Sequence, residues 1–169
     1  MRKLIVTSIA LCAAVLATQA IAQAPPAPAP AAAPPSAYGE TVNLEQAKKA
    51  AAAAQDFAAK NGWAMAISVA GPSGDLVYFQ KMDNTQFASI AISQHKARAA
   101  ATFRRPTKVF EDRIATAAGV PALTLDGIIA SEGGIPLVMG GKIVGAMGCS
   151  GGTGQQDGQS CQAGIDAMK

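Results

Sequence analysis

The sequence predicts an α+β domain, an antiparallel sheet of two hairpins with four to five strands, flanked by helices. Three observations lead there. Apolar runs flank Gly71-Pro72-Ser73-Gly74, and others flank Gly140-Gly141, so strands come as hairpin pairs. Alanine-rich segments with cap signals lie between and around the pairs. The stretch from Tyr38 to Lys169, about 130 residues, is long enough for one hydrophobic core and too short for two.

Taken in order, Asn43-Leu44-Glu45-Gln46 is an N-cap with Gln at the third helical position, and an alanine-rich helix runs to Lys60 before Asn61-Gly62. Trp63 to Ala70 and Asp75 to Met82 form the first hairpin. Phe87 to Phe103 is a second helix. Pro106 ends it, and Thr107 caps a third helix to about Ala118, which Gly119-Val120-Pro121 breaks. Residues 122–134 lack a clear period and are read as a short edge strand followed by a glycine loop. Ile135 to Met139 and Lys142 to Cys149 form the second hairpin, and Gln156 to Met168 is a closing helix. The wealth of Ala and Gly on helix surfaces favours close packing and a homo-oligomer.

Residues 1–24 read as a signal peptide. Arg2 and Lys3 precede an apolar run from Leu4 to Ala17, shorter than the roughly 20 residues a membrane span needs. Ala20 and Ala22 mark a cleavage region, so membrane contact is expected only through an uncleaved leader. Residues 25–37 are nearly all Pro and Ala, a linker that favours extended polyproline II. Residues 38–169 are the folded domain. The expected location is periplasmic or secreted. In that oxidising setting Cys149 and Cys161 either pair, adding about 3 kcal/mol by loop closure, or remain thiols.

Without Arg2 and Lys3 the chain keeps 12 basic and 11 acidic side chains. That balance excludes a general nucleic-acid footprint. The cations are instead local, between Lys96 and Lys108. Among them stands the single histidine, His95. Helical spacing sets Ala88, Ile92, His95, Ala99 and Thr102 on one stripe. Two readings follow for His95: a metal ligand with small neighbours, or a half-buried structural histidine. Lys96, Arg98, Arg104 and Arg105 either pair with a ligand's carboxylates or form a solvated cationic face near the helix end. Amides between Gly151 and Gln156 either bind one anionic group at a helix start or make a tight connection.

Two further motifs carry less. Gly148-Cys149-Ser150-Gly151-Gly152 satisfies G-x-S-x-G, but the only His lies upstream, and antiparallel pairing lacks the sheet a nucleophile elbow needs. Asp75, Asp83, Glu132 and Asp157 lie near turns without a spacing that forces acid/base partnership, and Asp126 has no evident role.

Several strings occur together in order: Ile67-Ser68-Val69, Gly74-Asp75-Leu76-Val77, Met82-Asp83, His95-Lys96-Ala97-Arg98-Ala99-Ala100, Gly133-Gly134-Ile135-Pro136, and Gly145-Ala146-Met147-Gly148-Cys149-Ser150-Gly151-Gly152 followed by Gln156-Asp157. Over Val42 to Met168 the chain resembles the GlcG/HbpS family of haem-binding proteins, itself similar to the C-terminal domain of PduO-type corrinoid adenosyltransferases. Ala70-Gly71 departs from a Val-Asp frequent in that family, and Asn84-Thr85 from a Gly-Ala. The resemblance implies an antiparallel sheet flanked by helices, assembly into dimers or octamers, and haem binding by some members.

The expected function is an exported protein that carries, buffers or senses haem rather than transforming a substrate. His95 is the expected iron ligand, with Lys96, Arg98, Gly151 and Gly152 binding the propionates. The alternative is a periplasmic protein or enzyme that binds a small organic acid without metal.

Overall fold

Four antiparallel strands make one sheet in the order β2-β1-β4-β3, with helices on both faces. The computed structural model describes residues 36–169. The signal peptide and nearly all of the Pro/Ala linker expected from the sequence therefore lie outside the described residues. Among those described, no helix is long and apolar enough to cross a membrane.

Helix α1 spans Leu44–Lys60. Asn43 accepts from the Gln46 amide while the Gln46 side chain accepts from the Asn43 amide, the reciprocal cap its sequence predicts. Strands β1 (Ala66–Ala70) and β2 (Leu76–Lys81) form the first hairpin, and β3 (Gly134–Met139) and β4 (Lys142–Ser150) the second. Strands β1 and β4 pair at the centre, with Ser68 opposite Gly148.

The two sheet faces differ in side-chain size. Ile67, Val69, Met147 and Cys149 join the alanines of α1 and Cys161 of α4 (Gly154–Asp166) in the main core. The disulfide Cys149–Cys161 forms and ties β4 to α4. The opposite face presents Ser68, Ala146, Gly148 and Ser150 to α2 (Ala88–Thr102). With no side chain at Gly148, α2 lies directly on the strand. A Cβ there would come within 2.5 Å of the Ala97 amide and would also strike the Ser93 carbonyl.

Three expectations change. No fifth strand forms among the described residues. The chain from Ala117 to Thr124 is instead a 3-10 helix that contains Gly119 and Pro121, so these residues do not mark a break. Its turns close locally, as in Gly119 to Thr116 and Leu125 to Ala122, so the N–H that Pro121 lacks forfeits one bond rather than the element. Helix α3 is accordingly short, Lys108–Ile114. Thr107 precedes it but does not cap it. Its hydroxyl donates to the Ser131 carbonyl and accepts from the Gly134 amide, fastening the approach to β3.

Candidate functional site

Helix α2 has one face set by the sheet, and that fixes the other. Ser89, Ser93, Lys96, Ala97, Ala100 and Ala101 are buried against the strands. Ser93 shares a 2.9 Å hydrogen bond with Ser68, and Ser150 donates to Ser89 at 3.0 Å, so the buried hydroxyls are satisfied. The exposed residues are then Ala88, Ala91, His95, Arg98 and Thr102, at helical spacings of three and four. The stripe expected from the sequence ran through Ile92 and Ala99. Ala99 is in fact buried, and Ala91 and Arg98 take the outward positions.

His95 and Arg98 line a groove of about 450 Å³ with Ala91, Gln94, Asp126 and Gly127. The groove is open on one side. Arg98 Nε donates to the Gly74 carbonyl at 3.4 Å, so the β1–β2 turn holds that guanidinium beside the histidine. His95 is exposed, which removes the reading of a half-buried structural histidine. Asp126, without evident role in the sequence, belongs to the same groove.

Lys96 goes the other way. Its side chain is 1% exposed, and its ammonium donates to Asp157 Oδ2 at 2.7 Å. The expectation that Lys96 meets a ligand's carboxylate is corrected: one residue along a helix is a turn of about 100°, and that turn points it inward. Gly133 lets the two ions meet, for a Cβ there would lie 3.0 Å from Lys96 Nζ and 2.7 Å from the Asp157 Cβ. Burial pushes the Asp157 carboxyl up, and the Lys96 ammonium and the Gly152 amide oppose that shift.

Gly151 and Gly152 are likewise used internally and do not line the groove. Gly152 N donates to Asp157 Oδ1 at 3.0 Å. The Thr153 amide donates to Gln156 Oε1, and the Gln156 amide to the Thr153 hydroxyl, a second reciprocal cap. These N–H groups, expected to hold an anion, already have acceptors, and a Cβ on Gly151 would meet the Met65 Cα at 3.0 Å. The tight-connection reading is the one that geometry supports.

Nearby, the Glu132 amide donates to Glu111 Oε2 at 2.7 Å, and burial together with the Glu111 charge pushes the Glu132 carboxyl up. Among the described residues no three His, Cys, Asp or Glu side chains gather as a metal cluster. A second hollow of about 280 Å³, between β3 and the end of α4, is lined by Leu137, Val138, Met139, Ile165 and Met168 and offers Lys169 as its one charged side chain. The α2 groove alone joins an imidazole to a guanidinium.

The four-stranded antiparallel sheet with its flanking helices and the close α2–β4 contact define an HbpS-like domain. The family model described as "Haem degrading protein HbpS-like" matches residues 42–166, and the chain belongs to that family. Protein GlcG of Escherichia coli (strain K12) is 41% identical over 110 residues, covering 64% of this chain and 81% of GlcG. The crystal structure of a double mutant of HbpS from Streptomyces reticuli aligns with TM-score 0.69 at 30% identity, over 81% of this chain and 97% of that one. A PduOC:haem complex aligns with TM-score 0.68 at 22% identity, over 75% of this chain and 94% of that one, a likeness of fold. These matches bear out the family and the α+β architecture that the sequence strings imply.

Proposed function

We propose that this chain is an exported haem-binding protein, and that the α2 groove is where haem sits. The observation that carries the reading is the single imidazole and an exposed guanidinium lining one open groove, in a family described by its haem chemistry. The donor set fits the group. Imidazole is an established axial ligand for haem iron. A guanidinium beside it matches the fork of a propionate carboxylate. Ala91 and Gly127 line the same groove with little or no side chain, which leaves room beside His95 for a flat ring. The groove is open, and His95 would be the residue of this groove that offers the iron a ligand.

When bound, haem supplies a redox-active iron. The chain's own part is to hold it. His95 donates the imidazole nitrogen, Arg98 carries the counter-charge, and the Gly74 carbonyl keeps Arg98 in place. The role that follows is carriage, buffering or sensing of haem. Export is supported by the cationic start and apolar run of residues 1–24, together with the Cys149–Cys161 disulfide. Self-association into a homo-oligomer accords with large apolar side chains left at the surface, Phe87, Val120 and Leu123 among them.

Haemin titration of the purified chain tests the site. A Soret shift that saturates, and that changes form in His95→Ala, is the expected result. An identical spectrum from parent and variant removes His95 as ligand. The alternative of a small-acid binder rests on Arg98, Asp83 and the glycine loop; of these only Arg98 lines this groove, and Asp83 lines a separate hollow with Gln55, Lys81 and Met82. Thermal stabilisation by a simple carboxylate, without any Soret change on haemin addition, would favour that reading instead.

A further inference from the structure

The sheet has two edges, and they are built differently. At one, β3 carries Pro136, which has no N–H to offer, and a register shift between Leu137 and Val138. Both devices blunt an edge against a further strand. At the other, β2 reads Leu-Val-Tyr-Phe-Gln-Lys, rich in β-formers, with no proline, and its charge only at Lys81. Its one irregularity lies where Ala70 pairs with Leu76, at the start of the strand. Among the described residues no other strand or isolated bridge pairs with this edge.

The hydrogen-bond phase shows which groups point outward. The Met82 amide donates to the Met65 carbonyl, toward β1. Pairing alternates along an antiparallel strand, so Gln80 and Tyr78 also face β1, while Val77, Phe79 and Lys81 aim their N–H and C=O groups away from the sheet.

We infer that β2 pairs antiparallel with β2 of a second copy of this chain, about a two-fold axis at Tyr78. That register sets Val77 opposite Phe79 of the other copy, twice, and makes about four main-chain hydrogen bonds from the outward-facing groups. It places two branched–aromatic cross-strand pairs, which are favourable neighbours on a sheet. It also sets Asp75 opposite Lys81 at both ends, so the strand is complementary in charge to itself. A two-fold contact of this kind is closed, so it makes a dimer without growing into a fibre. The inference rests on self-association, not on haem binding.

Cysteine cross-linking and mass measurement of the secreted chain test it. Tyr78→Cys puts two thiols on the axis, in a pair with Cα atoms about 4.5 Å apart, and mild oxidation should give a covalent dimer. Gln80→Cys, opposite Leu76 of the other copy, should not cross-link. Phe79→Pro removes one outward N–H and leaves the β1 ladder intact, and sedimentation should show it shifted to a lower mass with an unchanged circular-dichroism spectrum. Absence of the Tyr78→Cys dimer from a chain that still sediments as an oligomer overturns the β2 interface alone. A monomeric parent overturns both the interface and the self-association beneath it. Equal cross-linking at positions 78 and 80 overturns the register.

Discussion

Replacing Lys96 with Met tests the buried ion pair that separates the inner from the outer face of α2. Methionine keeps much of the volume and removes the charge. Asp157, with its side chain 4% exposed, then keeps only the amides of Gly152 and Gly151 as donors. Removing one partner of a buried pair typically costs about 3–5 kcal/mol, because the remaining ion has neither water nor counter-charge. For a domain of this size that is about 10–20 °C in melting temperature. Urea unfolding followed through Trp63 fluorescence measures it. The sign with pH is also determined. Burial already holds the Asp157 carboxyl above its ordinary range, and losing Lys96 pushes it further. The folded variant then keeps a proton that the unfolded chain releases, so its stability rises as pH falls toward 4.5 and is lost as pH rises through the folded-state value. The double variant Lys96→Met/Asp157→Leu should lose less than Lys96→Met alone. A loss below about 1 kcal/mol, or a loss equal at pH 7 and pH 4.5, would refute the reasoning.

Gly148→Ala places a methyl against the Ser93 carbonyl and the Ala97 amide, and α2 has to move. The expected cost is about 1–3 kcal/mol or more in urea unfolding, with weaker haemin binding because His95 and Arg98 ride on that helix. Cys149→Ser/Cys161→Ser should lower stability by about 3 kcal/mol, read as a lower urea midpoint, since the bridge closes a short loop in the unfolded chain. Glu132→Gln should raise the melting temperature at pH 7 more than at pH 4. Its carboxyl is held above the ordinary range, so the ionised form weighs against the fold as pH rises, and an amide removes that dependence.

The elements with local signals were legible in the sequence. The Asn43–Gln46 cap, Asn61-Gly62 and Gly140-Gly141 each encode their own geometry through short-range hydrogen bonds or backbone freedom, and the helices and hairpins fall within a few residues of expectation. The region after α3 was not legible, because a 3-10 connector has no period to read and its Gly and Pro mimic a break. In the site, His95 and Arg98 were singled out by residue type, while helical spacing set Arg98 off the His95 stripe; the structure lines one groove with both. Asp126 was missed, since a loop residue far along the chain leaves no spacing signal toward α2. Lys96, Gly151 and Gly152 were misjudged because their partners, Asp157 and the Thr153–Gln156 cap, are fixed by tertiary packing. A usable signal did exist. Lys96 falls on the α2 face with Ser89, Ser93 and Ala100, the face whose small residues admit the sheet, so the helix period alone sets it opposite Arg98.

The central claim is that the exposed imidazole on α2 holds haem iron. The measurement closest to it is the visible and electron paramagnetic resonance spectrum of the ferric complex, recorded for the parent chain and for His95→Ala at equal haemin. The account predicts an imidazole-type axial ligand signature in the parent and its loss in the variant, with the fold retained by circular dichroism. A ligand signature that survives in His95→Ala would contradict it.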